Sequence, residues 1–283
     1  MKSSELITIA TGQFEATINT LGAELKEFSA GKDKSNWLWN GEQWAHTAPI
    51  LFPIVGNLNN GKFVHDNSEY SLPRHGFARQ SLFKVVAKGD DFLKLQLTSN
   101  ASTFENYPFT FTLTVDFFVN PKGLTVEYNV ENTSESSMWF SIGSHPGFNS
   151  SSDTVIEFED VAQPFIGKEG FTELKEHAPL SVRNNSVKLE EWDFNKGPLY
   201  FKNLKRQCIK IHDNKYGTRC INIPCTPYFT LWKVPDADFV CLEPWHGITA
   251  DPTDTVNQLS DKRGIIHLES GNKFGTYYQL SLV

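Results

Sequence analysis

Apolar residues recur at every second position over much of the chain. Phe109, Phe111, Leu113, Val115 and Phe117 alternate with Thr and Asp, and Leu124, Val126, Tyr128 and Val130 repeat the pattern just beyond. A two-residue period is the side-chain alternation of a strand with one buried face, so both stretches predict half-buried antiparallel strands. Pro121, Lys122 and Gly123 between them predict a hairpin turn. Residues 92–97, 16–20, 209–211 and 221–223 continue the pattern. No window of a dozen residues carries an apolar stripe at helical spacing. Short helical turns are expected only near residues 256–263, where Val256 and Leu259 sit three apart. Many short strands punctuated by Gly, Pro, Asn and Asp predict an all-β fold, a large antiparallel β-sandwich. Neither a composition shift nor a repeat divides the chain, so one domain over residues 1–283 is expected.

Composition sharpens this reading at a few points. Aromatic residues make up 13% of the chain, with 22 Phe and 7 Trp, which suits a strand-rich core and leaves rings to stack on a flat ligand. A net charge of −7 argues against nucleic acid as a partner. No apolar run is long enough to span a bilayer, and the first residues carry no apolar stretch of signal-peptide length, so a cytoplasmic location is expected. Cys208, Cys220, Cys225 and Cys241 lack the close pairing of a zinc site and are expected to be free, structural thiols.

Three turn-rich stretches place titratable side chains beside glycine or proline and an aromatic ring. They are Arg74-His75-Gly76-Phe77-Ala78-Arg79, Ser144-His145-Pro146-Gly147-Phe148-Asn149 and Glu243-Pro244-Trp245-His246-Gly247. Histidine titrates near neutral pH, and a carboxylate raised by burial joins it there, so the set suits proton transfer on a small molecule. His145 follows an expected buried strand over residues 138–143 and is held extended by Pro146. His75 lies in a loop, where Arg74 and Arg79 favour a neutral imidazole with one accepting and one donating nitrogen; locally, a solvated loop explains it as well. Glu243 ends an apolar strand beside Trp245, and desolvation there predicts a raised pKa. Glu243 and His246 share a Glu-x-x-His spacing, but Pro244 and Gly247 argue against the helix a metal site would need. His46, His65, His177, His212 and His267 have no comparable setting and are expected at the surface.

Taken in order, these segments, with Pro49-Ile50-Leu51-Phe52-Pro53-Ile54-Val55-Gly56 before them and Phe239-Val240-Cys241-Leu242 leading into Glu243, resemble the aldose 1-epimerase (galactose mutarotase) family, especially its LacX-type branch. The resemblance runs nearly the whole length. It implies a large antiparallel sandwich with a sugar held on one sheet face, and catalysis without a metal or organic cofactor. Glu243 would be the general base toward the anomeric hydroxyl, His145 the general acid toward the ring oxygen, and His75 a hydrogen-bond partner near that oxygen. Arg79, and Arg74 beside it, would meet sugar hydroxyls or a phosphate, and Trp232, Trp245 or Phe77 would stack on the ring. Two positions depart from the family pattern. Asn57 stands where relatives usually carry a sugar-binding arginine, and Gly197 where they often carry an aspartate, with Asp193 the nearest acid. The expected ligand is a small aldose sugar, and the chain is expected to be a monomer or homodimer. The expected activity is aldose 1-epimerase; a hexose-6-phosphate 1-epimerase and a non-catalytic carbohydrate-binding or regulatory protein are the alternatives.

Overall fold

The alternation over residues 109–130 becomes a long hairpin. Strands Phe111–Asn120 and Gly123–Asn132 pair antiparallel from Phe111↔Asn132 to Asn120↔Gly123, with Pro121 and Lys122 in the turn. Phe111, Leu113, Val115 and Phe117 are buried on the first strand, and Leu124, Val126, Tyr128 and Val130 on the second. The computed structural model describes residues 3–31, 35–167, 176–180, 182–251 and 257–283.

The hairpin sits within a nine-stranded sheet ordered Ser186–Lys188, Val155–Glu157, Gln207–His212, Arg219–Ile223, Lys273–Leu282, Gly123–Asn132, Phe111–Asn120, Phe92–Thr98 and Lys84–Lys88. A seven-stranded sheet runs Phe165–Ile166, Leu199–Leu204, Thr226–Trp232, Phe239–His246, Ile142–Ser144 and Ile50–Leu51, and Gly147–Asn149 also pairs with Phe239–His246. The pairings in both sheets are antiparallel. Val115, Phe117 and Val126 of the first sheet share one hydrophobic cluster with Phe201, Phe229, Leu231, Val240 and Leu242 of the second. Phe dominates the large side chains that are fully buried, and each contributes about 1.5–3 kcal/mol through burial. The fold is therefore an all-β antiparallel sandwich, and a smaller sheet of Leu6–Thr11, Phe14–Asn19, Glu24–Ala30 and Ser35–Asn36 packs beside the central hairpin.

Several sequence expectations are corrected. Residues 138–143 form two short strands, not one. Met138–Phe140 pairs with Ile266–Leu268, whereas Ile142–Ser144 joins the seven-stranded sheet; between them the Ser141 N–H leaves the ladder to donate to Pro53 O at 2.7 Å. Cys208 and Cys220 form a disulfide, with Cα atoms 6.1 Å apart, while Cys225 and Cys241 are free. The register sets Cys208 opposite Asn222 and Lys210 opposite Cys220, so the two cysteines are diagonal neighbours on paired strands, a proximity that sequence spacing does not reveal. His46, His65 and His212 are half-buried; only His177 and His267 of that group are exposed. His65, for instance, packs on the Phe109 ring at 4.5 Å. A 3-10 turn does form at Leu259–Asp261, and Val256 lies outside the described residues. The α-helix among the described residues is short, Ala101–Asn106, capped by the Asn100 side chain accepting from the Thr103 N–H. None of the described helices is long and apolar enough to cross a membrane.

Candidate active site

The strand Phe239–His246 carries the chemistry on one face. Val240 and Leu242 enter the main core, so Phe239, Cys241, Glu243 and Trp245 turn the opposite way. The sequence places Glu243 at a strand end closed by Pro244, but the strand runs on to His246. It survives the proline because it is paired along its other edge, from Tyr228↔Trp245 to Trp232↔Cys241. On the proline side the Leu242 N–H donates to Pro146 O at 3.1 Å; Pro244, two residues on, has no N–H to direct that way.

One register explains why a histidine and a glutamate so far apart in sequence meet. Gly143 lies opposite Trp245 and Gly147 opposite Cys241; the residues between complete the register and set His145 opposite Glu243. The hydrogen-bonded pair at Leu242 and Pro146 makes the adjacent His145–Glu243 position a non-hydrogen-bonded one, where facing side chains approach most closely. The His145 Nε2 atom lies 3.2 Å from Glu243 Oε2. On the other side Thr230 faces Glu243, and Tyr200 faces Thr230. Tyr200, Thr230, Glu243 and His145 thus form a row across four strand segments. Gly143 gives this row its flank: a Cβ there would lie 2.6 Å from the Trp245 ring.

The His75 loop covers the row. The His75 N–H donates to Gly56 O at 2.9 Å, the Gly56 N–H donates to His75 Nδ1 at 3.1 Å, and the ring centroid is 5.7 Å from that of His145. His75 is 4% exposed, so the loop is not the solvated one that its arginines allow from sequence. Arg74 is itself exposed, and its Nε approaches His75 Nε2 at 3.2 Å. A neutral imidazole accepts at one nitrogen only, so this contact and the Gly56 bond exclude one another. The Gly56 amide is fixed by the chain while Arg74 is an exposed side chain, so the Gly56 bond sets the tautomer and puts the ring hydrogen on Nε2. Arg79 is half-buried, and its Nη2 donates to Arg74 O at 3.0 Å.

Among the aromatic candidates, Trp232 lies 5.4 Å from the His145 ring and Trp245 6.1 Å from His75. Phe77 does not reach the site; it packs with Phe52, Tyr107 and Phe111 against the main core. Trp44 does reach it, with its ring centred 5.0 Å from His145 and 5.7 Å from Trp232. Glu24 holds the segment carrying Trp44 by accepting from the Thr47 and Ala48 N–H groups at 2.6 and 3.2 Å. Asn57 is half-buried next to Gly56, with its N–H donated to Thr249 Oγ1 at 2.9 Å and its carbonyl accepting from Ala250. Gly197 has φ 113°, and a Cβ there would meet Gly167 O at 2.4 Å, so backbone geometry keeps a side chain out of that position. Asp193 does not substitute for one. It is exposed, accepts from the Asn195 N–H, and lines a separate cavity of about 310 Å³ with Ser151, Trp192 and Lys233.

Burial dominates the electrostatics. It raises the Glu243 carboxyl well above its usual value, partly opposed by the Arg74 charge and by the nearby Trp245 indole N–H, which lies close to the carboxylate without the alignment of a full hydrogen bond. It lowers His145 well below its usual value, with Arg74 adding to the effect, and lowers His75 too, with His145 and Arg74 contributing. Desolvation thus drives both members of the His145–Glu243 pair toward neutrality, so that the pair holds a single proton. At 3.2 Å the pair lacks the alignment of a hydrogen bond, and both Glu243 oxygens, Thr230 Oγ1 and Trp245 Nε1 are buried without a hydrogen-bond partner. His145, Cys241 and Glu243 bring one donor atom each within 4.8 Å of one another. His246 belongs to the other strand face, where its Nε2 meets Thr276 Oγ1 at 2.8 Å, so it does not converge with Glu243.

Such a sandwich is the galactose mutarotase-like fold. A galactose mutarotase-like protein from Lactobacillus casei ATCC 334 superposes with a TM-score of 0.91, 26% identity, and coverage of 99% of this chain and 100% of that one. A galactose mutarotase related enzyme from Lactobacillus acidophilus gives 0.91 at 24% identity, covering 98% and 97%. Protein LacX (plasmid) of Lactococcus lactis subsp. lactis is 29% identical over 264 residues, 86% of this chain and 88% of its own. The Aldose 1-epimerase family profile matches residues 5–275, and the chain belongs to that family.

Proposed function

We propose that the protein interconverts the α and β anomers of a free hexose or related aldose by acid/base ring opening and closure. The observation that carries this reading is the cross-strand pair itself: an imidazole nitrogen and a carboxylate oxygen 3.2 Å apart, both buried. Two groups that close suit the two oxygens borne by a single anomeric carbon. In the form of the pair whose single proton sits on His145, Glu243 takes the proton of the anomeric hydroxyl while His145 gives its proton to the ring oxygen. The bond from that oxygen to the anomeric carbon breaks, leaving an open-chain aldehyde. After rotation about the adjacent carbon–carbon bond, His145 recovers the proton from the newly formed hydroxyl. The ring closes on the other face of the carbonyl, and Glu243 returns its proton to the carbonyl oxygen. Protons balance over the cycle, and the raised carboxyl and lowered imidazole bring the two affinities toward each other, as a shuttle requires.

The remaining groups position the sugar. His75 donates from Nε2 toward the ring oxygen, Thr230 offers its buried hydroxyl, and Trp44, Trp232 and Trp245 supply ring faces and edges for C–H surfaces. Arg79 and Arg74 serve hydroxyls at the rim. The exposed guanidinium of Arg74, whose charge acts on all three titrating groups, favours a second reading in which the substrate carries a phosphate.

Anomer exchange followed by NMR or polarimetry tests the assignment, on glucose, galactose, xylose and hexose 6-phosphates, with the Glu243→Gln protein as control. Acceleration that vanishes in the variant supports an epimerase, and the sugar ranking separates the two readings. Folded protein that binds sugars without accelerating exchange would make it a carbohydrate-binding protein instead.

A further inference from the structure

The face that carries Glu243 also carries a residue the sugar chemistry leaves unused. Cys241 is two positions earlier on the strand, fully buried, and a free thiol. Its Sγ, the imidazole nitrogen of His145 and a carboxylate oxygen of Glu243 all lie within 4.8 Å of one another. A thiolate, an imidazole and a carboxylate are the three donor types that zinc takes in tetrahedral sites, three protein ligands leaving one position open. Zinc bond lengths of about 2.0–2.3 Å at the tetrahedral angle imply ligand-to-ligand edges of about 3.3–3.7 Å. The His145–Glu243 edge is already 3.2 Å, and the edges to Cys241 are no longer than 4.8 Å, so binding requires the thiol to move inward by about 1 Å at most. The second indication is the carboxylate. Glu243 is 1% exposed, and both of its oxygens lack a hydrogen-bond partner.

We propose that His145, Cys241 and Glu243 form a binding site for a soft divalent cation, zinc above all, and that the ion and the sugar exclude one another there. Coordination replaces both the thiol proton and the single proton of the His145–Glu243 pair with the metal, so two protons leave per ion bound, and the acid/base pair is tied up in metal bonds. Harder ions such as magnesium, which prefer six oxygen ligands, do not fit this donor set. The metal site stands on geometry alone, whereas its inhibitory effect rests on the epimerase reading.

The test uses the whole protein and the metal alone. Zinc titration against a chromogenic chelator is expected to give one tight site per chain. Cobalt in its place is expected to show a thiolate charge-transfer band in the near ultraviolet. Cys241→Ser should abolish the band and weaken zinc at least about tenfold, since losing even an outer-shell partner of a zinc ligand costs about 10–100-fold. Cys225→Ser, which alters the exposed free thiol, should change neither readout. If Cys241→Ser fails to fold, Glu243→Gln provides the same affinity comparison with the thiol intact. Absence of tight zinc binding, or binding that survives both Cys241→Ser and Glu243→Gln, overturns the proposal. With an active sugar in hand, zinc should slow exchange in competition with that sugar, and a chelator should restore it. A zinc site that depends on Cys241 in a protein inert toward every sugar would uphold the metal site and sink the epimerase reading.

Discussion

Thr230 faces Glu243 directly across the Thr226–Trp232 and Phe239–His246 pair, and its hydroxyl, like both Glu243 oxygens, is buried without a hydrogen-bond partner. Glu243 therefore has a histidine opposite it on one neighbouring strand and a threonine on the other. Leaving a buried hydroxyl unpaired costs about 1–3 kcal/mol. Thr230→Val removes that cost with little change of shape. The variant is expected to be more stable by about 1 kcal/mol, seen as a higher urea midpoint, while anomer exchange slows. A stability gain with unchanged exchange would remove Thr230 from the sugar site.

Glu243→Gln and His145→Asn are each expected to lower exchange by about 10²–10⁴-fold while the far-ultraviolet spectrum stays that of a β protein. Because the two act as a unit, the double variant should be scarcely slower than the worse single one. Multiplying losses in the double variant would show that the groups act independently.

Arg74 is expected to set the pH range of anomer exchange. Its positive charge stabilises the deprotonated forms of Glu243, His145 and His75, and so lowers the pKa of each. Arg74→Ala should move the whole pH–rate profile of kcat/KM upward, and Arg74→Lys, which keeps the charge, should move it less. A profile fixed in both variants would mean that the guanidinium is too screened to matter.

Acid stability should be governed by buried histidines. His246 is lowered from 6.5 to about 4 by burial, and His75 and His145 are lowered as well. A group with a depressed folded pKa gives stability that is complete above its unfolded value and lost as pH falls through the folded one. For His246 the loss spans roughly pH 6.5 to 4, at up to about 1.4 kcal/mol per pH unit for one proton. Glu243 has the opposite sign: its raised pKa gives stability present at low pH and lost as pH rises through the folded value. Chemical denaturation of His246→Asn across pH 4–7 should show a shallower slope than the parent. An identical slope would mean that His246 remains neutral in the unfolded chain or charged in the folded one.

The sandwich was readable because period-two alternation is local, and residues 109–130 alone declare a hairpin. The residue types at the site were readable too, since His75, His145 and Glu243 sit in turn-rich settings. Their convergence was not, because a strand register joins His145 to Glu243 far along the chain and a loop held by Gly56 brings in His75. Thr230 and Cys241 look like ordinary strand residues, and only the pairing with Glu243 or the shared strand face reveals them. The Cys208–Cys220 link escaped for the same reason. Trp44 did have a signal: a tryptophan two residues from His46 and just before Pro49, the same kind of setting as the three stretches singled out. Phe77 shows the reverse error, a ring near a site histidine that the turn into the 3-10 segment Ala78–Gln80 carries to the core.

Glu243 is held within a strand and His145 in the short link between two strands paired with it, Ile142–Ser144 and Gly147–Asn149, and this ties the lifetime of the site on heating to that of the sheet. Separating the two side chains requires parting the segment around Pro146 from the Phe239–His246 strand, which is paired with Thr226–Trp232 on its far edge. Thermal inactivation should accordingly coincide with the cooperative loss of β structure, with no milder temperature at which a folded but incompetent protein accumulates.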